Sequence, residues 1–150
     1  MLQSTHMARM SKATRLKLIV PIAYAVLSLL YFVIAWPAQP KIYHLVGILI
    51  TSVSYILWIF SRIQLGNAFS IAPKSKYLVT SGMYSKLRHP VYYFSITAVL
   101  GLVLFAWQLI RVVPLLALIA LEVFRIKKEE ALLLGSCGNE YAAYKTQTWF

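Results

Sequence analysis

Long apolar runs separated by short polar stretches organise this sequence. The first run extends from Leu16 to Trp36 and the second from Ile42 to Leu65, with Pro37 and Pro40 between them. Each run is close to the ~20 residues that a helix needs to cross a bilayer. The third apolar region, Val91–Phe124, is too long for one crossing. We therefore predict that it folds back on itself.

Three residues that disfavour a continuous apolar helix interrupt this third region: Gln108, Arg111 and Pro114. They divide it into Val91–Trp107 and Val112–Phe124, and the second part is expected to continue as a helix to about Leu134. The pattern predicts an all-α, polytopic membrane protein with four transmembrane helices, the last two forming a C-terminal hairpin.

Composition and charge agree with a membrane protein. The chain is 60% hydrophobic and 13% charged, whereas soluble domains average ~45–50% and ~25%. With four spans, thirteen basic residues fall on one side: Arg9, Lys12, Arg15, Lys17, Arg62, Lys74, Lys76, Lys86, Arg88, Arg125, Lys127, Lys128 and Lys145. Only Lys41 and Arg111 fall on the other. The positive-inside rule then places both termini and the central loop in the cytoplasm.

The net charge of +11 is better explained by anionic lipid headgroups than by nucleic acid, because the basic residues lie between apolar runs and form no single stripe. We expect one domain over residues 7–150 and interpret residues 1–6 as an expression remnant. The lone Cys137 excludes an internal disulfide and a Cys-rich zinc site, and no metal is expected.

A first candidate site lies at the predicted start of the third span. Tyr84, Arg88, His89 and Tyr92 cluster around Pro90, a residue that is tolerated in the first turn of a helix. The free N–H groups of such a turn favour a carboxylate or another anion. The alternative is that these residues only anchor the helix at the membrane interface.

A second candidate site lies on the fourth helix. Glu122, Arg125 and Glu129 are spaced i, i+3 and i+7, so they share one helix face. An ionisable residue inside an apolar span is a functional candidate. The alternative is a local Glu122–Arg125 ion pair followed by a solvated helix end. Beyond it, the tail from Gly138 to Phe150, with Tyr141 and Tyr144 at helical spacing, suits a short helix on the membrane interface.

The chain resembles a known family in the residues Leu78-Val79-Thr80-Ser81-Gly82-Met83-Tyr84, Arg88-His89-Pro90-Val91-Tyr92, Glu129-Glu130, Gly138, Tyr141 and Tyr144. This pattern is similar to that of the isoprenylcysteine carboxyl methyltransferases and the related phospholipid methyltransferases, which are integral membrane enzymes that use S-adenosylmethionine. The resemblance covers roughly Gly66 to Tyr144.

The resemblance implies a cytoplasmic pocket for S-adenosyl-L-methionine. The cofactor-binding residues it implies are Lys76, Tyr77, Leu78, Val79, Tyr84, His89, Pro90, Val91, Tyr92, Glu129 and Glu130. It implies catalytic roles for Arg125 and Glu129, with Arg125 also binding the substrate. The expected partners are membrane lipids and a lipophilic or prenylated substrate, and no nucleic acid.

Three other functions stay open at this stage. The methyl acceptor could be the amine of a phospholipid or another lipid in place of the carboxylate of a prenylated cysteine. Membrane sterol reductases resemble the same C-terminal region but use NADPH, and there an Asn usually precedes the motif tyrosine, where this chain has Pro90 and Val91. The third alternative is a membrane scaffold without catalytic activity.

Overall fold

The structure is a computed structural model that describes residues 19–65 and 78–149. Within these ranges it contains four α-helices and no strand. Their bounds are α1, Ile19–Ile34; α2, Ile42–Leu65; α3, Pro90–Ala106; and α4, Val112–Gln147. The described residues fall into two compact units that divide between Pro40 and Lys41, and the site described below belongs to the second.

The predicted helix bounds agree closely with the structure. The second helix has the predicted limits Ile42 and Leu65, and the third begins and ends one residue earlier than predicted. The predicted start of the first helix, and the site candidates Lys76 and Tyr77, lie outside the described residues. The all-α fold is therefore confirmed for the part of the chain that the structure describes.

Small residues allow α2 and α3 to pack closely. A Cβ added to Gly47 would lie 2.6 Å from the Phe105 backbone nitrogen, and one added to Gly101 would lie 2.4 Å from Thr51 Oγ1. The Thr51 hydroxyl donates a hydrogen bond to the Ala98 carbonyl at 3.2 Å. Helices in lipid associate through such small residues, because they let the two backbones approach.

The predicted hairpin between α3 and α4 is also present. Trp107 closes α3 in the left-handed conformation (φ 45°) and donates its N–H to the Val103 carbonyl. A short 3-10 helix, Leu109–Arg111, then leads into α4. The ring of Trp107 lies 5.2 Å from the ring of Tyr43, so this turn contacts the start of α2. Arg111 thus lies at the same end as the start of α2.

The apolar surface of the helices suits a membrane. Helix α2 is long and hydrophobic enough to cross a bilayer. Only 22% of its most apolar stretch is buried inside the protein. The helices α1 and α3 are apolar but shorter. Within the described residues, one helix therefore meets the length for a complete span by itself.

The end of the chain contains a second helical segment after a break at Gly138. Helix α4 continues to Gln147 and changes direction at Gly138, whose φ of 46° is outside the helical region. Tyr141 and Tyr144 are buried and pack with Leu133. The predicted short helix after Gly138 is therefore present, and the rings of Tyr141 and Tyr144 pack against the protein.

Candidate active site

The site forms where the end of α2, the start of α3 and the second half of α4 converge. A short 3-10 helix, Gly82–Ser85, connects to α2 through three hydrogen bonds, one of which runs from the Ser61 hydroxyl to Met83 Sδ at 3.5 Å. The Met83 N–H donates to Gln64 Oε1 at 2.8 Å, and the Tyr84 hydroxyl donates to the Ser61 carbonyl at 3.3 Å. These bonds fix the position of the segment that leads into α3.

A small, partly open cleft of about 40 Å³ lies between these elements. One part of the wall is charged or polar and the rest is apolar. The lining residues are Leu65, Leu78, Val79, Tyr84, Arg88, His89, Glu129, Leu133, Tyr141 and Tyr144. Such a wall suits a ligand with an apolar body and a charged end.

His89 is the N-cap of α3. Its carbonyl accepts the N–H groups of Tyr92 and Tyr93 at 3.1 and 3.2 Å, and Pro90 occupies the first turn, where its missing N–H costs nothing. The imidazole is buried, 3.8 Å from a Glu129 oxygen and 3.4 Å from a Glu130 oxygen. Burial lowers the pKa of His89, and the two carboxylates offset this only in part. The ring is therefore neutral near pH 7.

Glu129 offers a negative charge to the cleft. Its Oε2 accepts a hydrogen bond from the Tyr92 hydroxyl at 2.9 Å, and its side chain is 31% exposed. Among the described residues, no lysine or arginine lies within ion-pair distance of it. Because His89 is its only basic neighbour there and is neutral, Glu129 can bind a cationic group of a ligand.

Glu130 faces away from the cleft and does not line it, although the resemblance implied a contact with the cofactor. It accepts hydrogen bonds from Arg88 Nη1 and Lys145 Nζ, both at 3.1 Å. Partial burial raises the pKa of Glu130. Hydrogen bonds from Lys145 and His89 lower the pKa by more, so the net shift is downward. Glu130 therefore joins the start of α3 to the bent end of α4.

Arg88 brings a positive charge to the cleft. Its Nη1 is held by Glu130, whereas its Nε is buried and finds no acceptor at good geometry among the described residues. The Tyr141 hydroxyl lies close to both side chains and is likewise without a well-formed hydrogen bond. Buried polar atoms of this kind are normally satisfied. Arg88 and Tyr141 thus form, with Glu130, a buried polar group behind the wall of the cleft.

Arg125 lies outside the cleft. It forms a 3.5 Å ion pair with Glu122, and its side chain is 65% exposed, whereas that of Glu122 is 6% exposed. Glu122 also lies 3.3 Å from the Ser95 hydroxyl on α3. The Glu122–Arg125 ion pair that the i, i+3 spacing allowed is therefore present. It lies on the side of Tyr92 that faces the apolar part of α4.

The structure brings together only part of the implied set. Leu78, Val79, Tyr84, His89 and Glu129 line the cleft, whereas Pro90, Val91, Tyr92, Glu130 and Arg125 do not. Tyr92 does not line the cleft, but its hydroxyl donates a hydrogen bond to Glu129, which does.

The implied set also misses five lining residues: Leu65, Arg88, Leu133, Tyr141 and Tyr144. Arg88 and the two tyrosines carry a signal in the motif pattern. Leu65 and Leu133 carry none, because they look like any other apolar residue of their helices.

Acidification is expected to destabilise the site through His89. The pKa of His89 in the folded state lies below its unfolded value. The folded state therefore has its full stability above about pH 6.5 and loses stability as the pH falls through the folded pKa. Glu130, whose pKa is also lowered, contributes only in a more acidic range. The thermal midpoint in detergent should fall between pH 7 and about pH 5, and His89→Gln should reduce that fall. An equal fall in both proteins would contradict the assignment.

The described residues form helices with exposed apolar surfaces and a charged cleft at one end, an arrangement that suits a membrane-associated helical protein. A sequence model described as phospholipid methyltransferase matches residues 42–138, which is more than half of the chain. The chain belongs to this family and is thus a membrane-associated, lipid-related methyltransferase. No individual curated protein matches the sequence significantly.

Proposed function

We propose that this protein transfers the methyl group of S-adenosylmethionine to a lipophilic acceptor held in the membrane. The observation that carries the proposal is the pairing of two opposite charges in one cleft. Glu129 lines the cleft without a lysine or arginine partner among the described residues, and Arg88 lines the same cleft. Methyltransferases of this family generally use S-adenosylmethionine.

The wall of the cleft fits this cofactor. Its amino-acid end carries an ammonium and a carboxylate, which Glu129 and Arg88 would hold as charge-assisted hydrogen bonds. Its apolar and aromatic parts would contact Leu65, Leu78 and Leu133. When bound, the cofactor supplies an electrophilic methyl group on a sulfonium sulfur.

The task of the protein is then mainly positioning, because methyl transfer needs the nucleophile close to the methyl carbon and in line with the breaking bond. His89 and Tyr92 keep Glu129 in place, and Glu130 keeps Arg88 in place. The acceptor would enter sideways between helices, while the polar cofactor enters from the end of the helices.

The proposed topology has four membrane-crossing helices with the cleft on the cytoplasmic side. The structure supports it by the grouping of charge within residues 41–149. Arg62, Arg88 and Lys145 lie at the cleft end of the helices, whereas Lys41 and Arg111 lie at the opposite end. The positive-inside rule assigns the basic end to the cytoplasm.

Two acceptor classes fit this proposal. The carboxylate of a prenylated cysteine is already ionised near neutral pH and needs no general base, whereas a lipid amine must first lose a proton. In both cases Arg125, on the apolar side of Tyr92, would bind an anionic part of the acceptor. The family assignment favours either class over an NADPH-dependent reductase or a scaffold.

Arg125→Ala is expected to impair turnover more than cofactor binding. Arg125 lies outside the cleft and is largely exposed, so its loss should leave the affinity for S-adenosylhomocysteine within about twofold. The loss of one charged contact to the acceptor should lower kcat/KM by about tenfold or more. Lys127→Ala, at a neighbouring exposed position, is the matched control. Unchanged turnover in Arg125→Ala would remove Arg125 from acceptor binding.

A transfer assay tests the proposed function directly. Purified protein in lipid nanodiscs is incubated with S-adenosylmethionine labelled in the methyl group, and lipid extracts are offered as acceptors. Label should enter the organic phase with the wild-type protein and not with Glu129→Gln. Absence of transfer to every lipid and prenylated acceptor, from protein that binds S-adenosylhomocysteine, would contradict the acceptor class.

A further inference from the structure

One wall of the cleft is formed by the tail of α4, residues 139–149. Tyr141 and Tyr144 line the cleft and pack on Leu133, which lies before the break at Gly138. All other lining residues belong to parts of the chain that precede Gly138. A movement of this tail would therefore open the cleft on one side and leave the remaining lining residues in place.

The cleft needs such a movement to take up the proposed cofactor. Its volume is about 40 Å³, whereas sites for small molecules have ~300–1,000 Å³. Glu129 and Arg88 line it and offer the charges that suit an ammonium and a carboxylate group. The chemistry of the wall is thus suitable, but the space between the walls is smaller than the cofactor. A wall must move before the cofactor can enter.

Gly138 is the point at which the tail can turn. Its φ of 46° and ψ of −116° are unfavourable for residues that carry a Cβ and open to glycine. An added Cβ there would meet nothing within 4 Å, so the backbone conformation alone sets the requirement for glycine. Ordinary helical angles at Gly138 would continue the first part of α4 in a straight line and move Tyr141 and Tyr144 away from the cleft.

Few contacts hold the tail in its present position. Three hydrogen bonds join it to the rest of the site: Lys145 Nζ to Glu130 Oε2 at 3.1 Å, the Tyr144 hydroxyl to the Tyr84 carbonyl, and the Trp149 N–H to the Lys86 carbonyl at 2.8 Å. The Lys145 side chain is 44% exposed, and such an ion pair contributes little to stability. Only Tyr141, Tyr144 and Thr148 are buried within the tail. Segments with so few buried residues open most readily.

We infer that residues 139–149 form a lid over the cleft, which turns at Gly138 to admit S-adenosylmethionine and to release S-adenosylhomocysteine. The two adjacent glutamates then have different tasks: Glu129 holds the cofactor, and Glu130 holds the lid through Lys145. This inference rests on the proposed function and deepens it. Opening of the lid, and not diffusion, then limits how fast the cofactor is exchanged.

Gly138→Ala is expected to favour the open lid. Alanine disfavours the φ and ψ of Gly138 and prefers a helix, so the closed position loses stability with and without a ligand. Association and dissociation of S-adenosylhomocysteine, measured by surface plasmon resonance on detergent-purified protein, should both become about tenfold faster. Kd should change much less than either rate. Gly135→Ala adds the same methyl group at a helical glycine with equally open surroundings and should keep the wild-type rates.

Wild-type rates in Gly138→Ala would overturn the lid. Faster dissociation with unchanged association would also overturn it, because that pattern indicates a direct loss of ligand contacts. If Gly138→Ala does not fold, a disulfide that locks the tail decides. Leu87 and Trp149 are paired as in neighbouring strands, ~5 Å apart and within the reach of a disulfide.

The locking variant is Leu87→Cys with Trp149→Cys, and Cys137→Ser removes the native thiol. Its oxidised form should bind S-adenosylhomocysteine at least tenfold more slowly than its reduced form, which is the control. Equal rates in the two forms would overturn the lid. Failure of the pair to oxidise would contradict the closed position of the tail and overturn it as well.

Hydrogen exchange without a ligand separates the lid from the proposed function. The amides of residues 139–149 should exchange about tenfold faster in Gly138→Ala than in Gly135→Ala, because a short helix released from its contacts is only marginally stable. Equal exchange in both variants would overturn the lid. A wild type that does not bind S-adenosylhomocysteine, together with the expected difference in exchange, would defeat the proposed function and leave the turning tail in place.

Discussion

Glu129→Gln is expected to weaken the binding of S-adenosylhomocysteine by about 10- to 150-fold, the effect of losing a charged hydrogen-bond partner worth ~1.5–3 kcal/mol. The amide keeps the size of the side chain and can still accept the hydrogen bond of Tyr92. It cannot supply the negative charge that the cleft offers to an ammonium group. Calorimetry in detergent measures the loss, and circular dichroism checks that the helices remain.

Glu140→Gln is the matched control, because it removes the same charge from an exposed position of α4 that does not line the cleft. Its affinity should equal that of the wild type. Wild-type affinity in Glu129→Gln would show that Glu129 does not hold the cofactor. An equal loss in both variants would mean that net charge, and not the position of Glu129, controls binding.

Gly101→Ala is expected to destabilise the contact between α2 and α3 severely. The new methyl group would lie 2.4 Å from Thr51 Oγ1 and 2.7 Å from the Gly47 carbonyl oxygen. Two of the three nearest atoms belong to backbone, so the helices must separate, at a cost of about 3 kcal/mol or more. The thermal midpoint in detergent should fall well below that of the wild type.

Gly135→Ala provides the comparison for this variant. An added Cβ at Gly135 meets nothing within 4 Å, and alanine is the better helix former by about 1 kcal/mol. Its thermal midpoint should match or exceed that of the wild type. Equal midpoints for Gly101→Ala and the wild type would contradict the close packing of α2 on α3.

The helices were predictable because their limits are local. Pro40 precedes α2, Pro90 begins α3, and the polar turn at Gln108 separates α3 from α4. The end of α4 was not predictable in the same way. Gly138 starts the predicted tail helix, but no local signal indicated that this helix would carry Tyr141 and Tyr144 back onto Leu133, because that contact depends on tertiary packing.

The site was predictable to the extent that motif residues face the cleft. Glu129 and Glu130 are adjacent, yet only Glu129 lines it, because successive residues of a helix point ~100° apart. The sequence alone does not show which of the two faces inward. Arg88 stood next to His89 in the motif, but its role depends on the contact with Glu130 across 42 residues.

The most direct test of the account is a calorimetric titration of S-adenosylhomocysteine into the detergent-purified wild-type protein, with NADPH as the comparison. The charges of the cleft and the family of the chain predict saturable binding of S-adenosylhomocysteine at one site per chain and no heat of binding from NADPH. Saturable binding of NADPH, with no response to S-adenosylhomocysteine, would contradict the account and assign the cleft to reductase chemistry.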